Sequence, residues 1–229
     1  LCSKMEPEFA VCFSGRVADE LSAAGTDPYV LGAVRVRNPL SIWRARRSLA
    51  RLLGRRKFDA IICHMEWPLA IFGGIARSAG VSLVYWVHSV TNGRHWIDRW
   101  ARRTQPDLAI CNSHFAAENL SQWFSGFPST IVYNPVSQPT NFGGERESVR
   151  AELSTPPNAT VIIQVSRMED WKGHALHLKA LSRLKDVDGW ICWQVGGPQR
   201  PAELAYFQSL KSMAEDLGIA DRLRFTGQR

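Results

Sequence analysis

Short, continuously apolar runs separated by amphipathic stretches recur along the whole chain, and this alternation restricts the fold more than any other feature. The runs occupy residues 9–13, 29–36, 58–63, 81–88, 107–111, 130–133, 160–165, 190–195 and 223–226. Each is rich in Val, Ile and aromatic residues, as strands are. Most are apolar at odd and even positions alike, the pattern of a parallel strand covered by helices on both faces. Helix-like stretches lie between them. Residues 17–24, 69–79 and 202–217 stop at Gly25, Gly80 and Gly218, each placed to close a helix C-terminus. Ser113 stands where an N-cap belongs, just before the helical pattern of 115–124. Repeated β-α-β order predicts an α/β fold with doubly wound parallel sheets.

One stretch breaks the rhythm. Residues 137–158 are polar, hold three prolines and two glycines, and contain no strand-like run. They read as an interdomain connection with one short helix near 145–153. The expected layout is a first α/β domain over 1–137, a linker over 138–158, and the opening of a second domain over 159–229. With 229 residues the chain is long enough to bury two small cores.

No apolar run approaches the ~20 residues of a membrane span, and the first residues lack a signal-peptide layout. Cys2, Cys12, Cys63, Cys111 and Cys192 form no C-x-x-C pair, and four of them sit inside apolar runs. They read as small buried hydrophobes of a reducing compartment, so a cytoplasmic location is expected. The first residue is Leu, and the last follows a strand-like run directly, which reads as a piece of a longer protein.

The net charge of +7 is not spread evenly. Nine basic residues and no acidic one fall between Arg35 and Lys57, and the remainder of the chain is slightly acidic. Ile42, Ala45, Leu49, Leu52 and Leu53 follow helical spacing and make one apolar stripe, leaving Arg44, Arg47, Arg51 and Arg55 on another face. That face is either a plain solvated surface or a dock for an anionic membrane or a charged acceptor. Nucleic acid is not expected as a partner, because no aromatic platform accompanies the arginines.

In open parallel sheets ligands bind past the carboxyl ends of the strands, near helix N-termini. The residues just past the strand-like runs are His64, His88, Asn112, Asn134, Ser166, Arg167, Gly196 and Gly197. The most informative segment is SRMEDWKG at 166–173, between a strand and a helix. It places Arg167 and Lys172 five residues apart beside a helix N-terminus, a combination that suits a diphosphate. Two solvated loop cations are the alternative. The next run ends in Gly196 and Gly197, expected to let a ligand approach the backbone, or else to form a simple turn.

The segments SRMEDWKGHALHLKAL, WQVGGP and LGIADRLRFTGQR resemble the opening of the nucleotide-sugar domain of family-4 retaining glycosyltransferases. The resemblance covers roughly 9–229 and implies the GT-B architecture of two Rossmann-like domains facing across a cleft. It assigns Arg167 and Lys172 to the donor's diphosphate. The stretches LVYWVHS, AICNSHF and IVYNPV are similar more loosely to the family's N-terminal half. They imply that His88 faces the donor sugar as the catalytic residue, and that Ser113 and Asn134 line the cleft. Two family elements have no counterpart here, the first strand with its glycine-rich turn and the later pair of glutamates. The resemblance therefore implies a fragment inactive by itself.

Other motifs carry less. Asp186 and Asp188 match the D-x-D spacing of metal-dependent transferases but fall at the opposite strand edge and read as a polar turn. His64 and Glu66 are placed to touch an acceptor, though a satisfied structural histidine explains His64 as well. Cys63, His64 and Cys111 fit no metal-ligand spacing. No G-x-G-x-x-G or P-loop occurs, so nicotinamide, flavin and NTPase chemistry lose their main support. No cofactor or metal is expected. The expected function is sugar transfer from a nucleotide-diphosphate sugar to a glycan, lipid or small-molecule acceptor. The rivals are a GT-B epimerase or phosphorylase and a non-catalytic nucleotide-binding scaffold.

Overall fold

A computed structural model describes residues 5–136 and 145–229. The chain divides into two compact units, Leu1–Val136 and Ser137–Arg229.

The first unit contains strands β1 (Ala10–Val11), β2 (Tyr29–Val30), β3 (Ala60–His64), β4 (Ser82–Val87), β5 (Leu108–Cys111) and β6 (Ser129–Ile131). Strands β3 to β6 form a parallel sheet in that order, and β1 pairs with β2 in a separate parallel ribbon. Both β1 and β2 are shorter than the apolar runs at 9–13 and 29–36 predict. Gly32 explains the second: its φ of 104° leaves the strand region, so the chain turns away after Val30.

Helices α1 (Arg16–Ala23), α2 (Pro39–Arg55), α3 (Glu66–Ser78), α4 (Trp96–Ala101) and α5 (His114–Trp123) alternate with the strands. Asn38 starts α2, its side-chain oxygen accepting from the amides of Leu40 and Ser41, with Pro39 at the first helical position. Ala45 and Leu49 of α2 are buried with Cys12, Leu31, Ile71 and Phe72, as the apolar stripe predicts. Ser113 caps α5 through the Ala116 amide at 3.1 Å. The main core packs Leu83, Tyr85 and Val87 of β4 against Leu69 and Ala76 of α3 and Leu120 of α5. Burying a side chain such as Leu83 contributes about 1.5–3 kcal/mol.

The second unit contains α6 (Glu145–Glu152), β7 (Thr160–Val165), α7 (His174–Ser182), β8 (Trp190–Val195), α8 (Pro201–Asp216) and β9 (Leu223–Gly227). The strands are parallel in the order β7-β8-β9. Cys192 of β8 is buried among Leu178, Leu181, Leu210 and Ala214 of the flanking helices. Of the expected linker, residues 138–144 lie outside the described residues, and residues 145–158 are folded onto this unit. Arg150 donates to the carbonyls of Pro156 and Ala159, Thr155 is buried and accepts from Trp193 Nε1, and Arg224 Nε donates to the Leu153 carbonyl.

Cys12, Cys63, Cys111 and Cys192 are unpaired and buried, and Cys2 lies outside the described residues. Among the described residues no helix is long and apolar enough to cross a membrane.

Candidate functional site

In the first unit the carboxyl edge of β3–β4–β5 gathers four of the expected residues. The β3–β4 register sets His64 opposite Trp86. Residues two apart on a strand share a face, so His88 follows Trp86 onto the side where His64 stands. The result is a cluster of three nearly parallel rings. His64 Nδ1 lies 2.8 Å from His88 Nε2, the two imidazoles are 13° apart in plane, and Trp86 stacks 5.2 Å from His64 and 5.6 Å from His88. Asn112 Nδ2 reaches toward the His88 carbonyl at 3.5 Å, and Ser113 Oγ lies 3.3 Å from Asn112 Oδ1. Asn134 lies three residues past β6 and is exposed.

The surroundings hold this edge in place. Glu66, at the start of α3, is buried and accepts from Tyr85 OH and Ser89 Oγ, both at 3.3 Å. The loop after His88 is anchored where the Thr91 amide donates to Asn119 Oδ1 at 3.0 Å and Thr91 Oγ1 donates to Asp98. Burial lowers the pKa of both His64 and His88. His88 lowers that of His64 further, while the nearby Glu66 charge works against the shift at His88. Both imidazoles are therefore held neutral at neutral pH.

In the second unit Arg167, Gly196 and Gly197 line one shallow hollow of about 230 Å3, together with Ser166, Gln199, Gln228 and Arg229. Gly196 has a specific reason. Its φ is +123°, and a Cβ there would fall 1.9 Å from the Ser166 carbonyl oxygen. What approaches its α-carbon is the backbone of the β7 loop. Gly197 is less tight, its nearest neighbours standing 3.4 Å from an added Cβ.

The cations are already engaged. Arg167 is 2.9 Å from Glu169 Oε2, an ion pair rather than an aligned hydrogen bond. Lys172 is not among the residues lining the hollow. Its ammonium sits 3.9 Å over the ring of Trp171. A polar network underlies the loop: Gln164 Nε2 donates to the Lys172 carbonyl at 3.1 Å, and Ser166 Oγ meets His174 Nε2 at 2.9 Å. His177 Nδ1 lies 2.7 Å from Gln164 Oε1. Burial lowers the pKa of His174 and His177 as well. Arg229 escaped the sequence reading, although it stands two residues past β9 just as Arg167 stands two past β7. It is paired in a bidentate manner with Glu152.

Asp186 and Asp188 lie between α7 and β8, at the amino edge, with Asp188 3.7 Å from Arg222. Among the described residues no three His, Cys, Asp or Glu side chains come together as a metal site.

Each unit is an α/β layer built on parallel strands, the first edged with imidazoles and the second with cations and glycines. The chain belongs to glycosyltransferase family 4: it matches that family over residues 7–138 and the description "Glycosyl transferases group 1" over residues 145–229. It is similar to a D-inositol 3-phosphate glycosyltransferase of Mycobacterium sp. (strain KMS), 32% identical over 123 residues, which is 53% of this chain and 27% of the relative. It is also similar to the lipopolysaccharide core biosynthesis glycosyltransferase LpsD of Rhizobium meliloti, 37% identical over 79 residues, covering 34% of this chain and 20% of the relative. The chain thus spans well under half the length of these curated relatives. The Anabaena protein Alr3699/HepE, solved in complex with UDP, superposes with a TM-score of 0.76 at 20% identity, over 96% of this chain and 61% of its own. The α/β, GT-B-like fold expected from the sequence is the fold observed.

Proposed function

We propose that the protein containing this chain transfers a sugar from a nucleotide-diphosphate donor to an acceptor, with retention of configuration. The observation that carries this reading is Arg167 beside Gly196 and Gly197 at the carboxyl edge of β7 and β8, in a chain of this family. Arg167 and Lys172 bind the diphosphate, exchanging Glu169 and the Trp171 ring for phosphate oxygens. They then offset the charge that grows on the diphosphate as the glycosidic bond breaks, the service such a site performs for the transition state. His88 faces the sugar. That Alr3699/HepE has been solved with UDP, and also with UDP and glucose, supports a uridine nucleotide as the first donor to try.

Calorimetric titration of the full-length protein with UDP and GDP, beside an assay of UDP-glucose turnover, tests the reading. Binding with turnover is expected. Lys172→Ala is expected to lower kcat by about 10²–10³-fold with the fold intact. Binding without turnover favours the scaffold alternative, and unchanged turnover in Lys172→Ala removes the loop's assigned role.

We further propose that α2 brings the protein to an anionic membrane surface, which holds it at the cytoplasmic face. Arg44, Arg47, Arg51 and Arg55 are all exposed. Leu40 and Trp43, 51% and 53% exposed, stand among them, and Arg47 lies over the Trp43 ring. Beside them runs a groove of about 550 Å3 lined by Ile42, Trp43, Arg46, Arg47, Ile75 and Trp100. Arginines attract lipid phosphates, about 1 kcal/mol each, while indole rings favour the headgroup boundary. Cosedimentation with phosphatidylglycerol vesicles is expected to exceed that with phosphatidylcholine, and to fall when Arg44, Arg47 and Arg51 become alanine. Indifference to both changes rules the surface out.

A further inference from the structure

We propose that His64 is a positioning residue that occupies Nε2 of His88, ties the tautomers of the two rings together, and leaves Nδ1 as the nitrogen His88 presents to substrate. The inference rests on the role given to His88 above and extends it to a residue that the family resemblance does not assign. The geometry begins with the sheet. His64 is the last residue of β3 and pairs in register with Trp86, and His88 lies two residues further along the neighbouring chain. The diagonal between them is closed by the 2.8 Å contact of Nδ1 with Nε2. The rings lie within 13° of a common plane, the arrangement an N–H···N bond between imidazoles requires.

Such a bond needs one proton, no more and no fewer. A neutral imidazole protonates one nitrogen and offers a lone pair on the other. If His64 donates from Nδ1, His88 carries its proton on Nδ1. If His88 donates from Nε2, His64 carries its own on Nε2. In both cases the two rings hold the same tautomer, and a second proton in the contact would set two N–H groups against each other. The groups facing the pair support neutrality. Trp86 stacks against both rings, and the nearby carboxylate of Glu66 already accepts two hydroxyl hydrogen bonds.

The ring positions are also fixed from behind. The Met65 amide donates to the Trp86 carbonyl at 3.0 Å, extending the β3–β4 ladder past His64. The Thr91 anchorage and the Asn112 contact hold the chain on the far side of His88. With both backbones set, the side-chain contact makes the two rings change tautomer only together.

The test uses the full-length protein labelled with 15N at histidine. His64 and His88 are expected to show the same tautomer, with a 15N–15N coupling across the shared hydrogen bond. Opposite tautomers, or no coupling while the β3 and β4 amides keep their dispersion, would overturn the inference. In His64→Phe, which keeps a ring but cannot hydrogen-bond, His88 should average two tautomers. With UDP-glucose as the probe donor, kcat should fall about tenfold while KM changes less than about twofold. His64→Asn, whose side-chain amide reaches the position of Nδ1, should restore a hydrogen bond to His88 Nε2 and with it kcat. A His88 tautomer unaltered in His64→Phe sinks the proposal whatever the reaction proves to be. Failure to bind UDP or GDP instead sinks the transferase reading, and leaves the hydrogen-bonded pair standing or falling on its resonances.

Discussion

The two units solve one problem with different materials. Each ends a set of parallel strands in a polar edge, where ligands of such sheets collect. In the first unit that edge is made by side chains: His64, Trp86 and His88 are held ring to ring, with Asn112 and Ser113 alongside. In the second it is made largely by backbone, because β8 runs so close to the β7 loop at Gly196 that no side chain fits. The first edge should therefore tolerate changes of shape and fail when its hydrogen bonds are altered. The second should fail when a single methyl group is added. Fold places the edge, and the residues on it decide the chemistry.

The largest expected effect lies on the backbone side of this contrast. Gly196→Ala drives a Cβ to 1.9 Å from the Ser166 carbonyl at a φ of +123°, so both the backbone and the β7 loop must shift. A loss of about 3 kcal/mol or more is expected, read as a lower urea midpoint, together with loss of UDP binding. The comparison breaks if the variant melts and binds like the parent. Gly197→Ala provides the internal control, since its nearest contacts are 3.4 Å away and small adjustments suffice.

Legibility in the sequence divides along the same line. The strands β3 to β5 and β7 to β9 were readable from short runs rich in Val, Ile and aromatic residues, even though Ile163 and Val165 of β7 remain exposed. The run at 29–36 misled because apolarity does not report φ, and Gly32 ends β2 early. At the sites, residues next to one another in sequence were found and residues brought together by register were not. Arg167 and Lys172 could be named from one loop, yet their spacing does not say where a side chain points, and Lys172 lies over Trp171. His64 and His88 were each noticed at a strand end. Their contact spans 24 positions and depends on β3 and β4 pairing His64 with Trp86. Arg229 was missed because LRFTG carries only a strand signal, and a lone arginine beyond it makes no motif.

A smaller effect sharpens the comparison from the other side. The turn from β3 into α3 passes through Met65 with φ 77° and ψ 172°, a region that is essentially glycine's own. The corresponding turn into α7 in the second unit places a glycine, Gly173, at the same φ of 77°. Backbone strain of this kind costs about 1–3 kcal/mol and persists only where neighbours over-determine the position. Here the neighbours are the residues of the candidate site: Met65 lies between His64 and the buried Glu66, and its amide is tied to Trp86. Met65→Gly removes the steric part of the strain and adds unfolded-state entropy, which partly offsets the gain. A net stabilisation of about 1 kcal/mol is expected, measured as a higher urea midpoint at unchanged slope. If the turn's only duty is to be made, activity should be indifferent to the change. If its strain aims His64 at His88, the more stable variant should show the two imidazoles sampling both tautomers and a lower kcat. Stability gained together with tautomer order lost would show that the first unit holds its edge by a strained turn where the second uses a glycine.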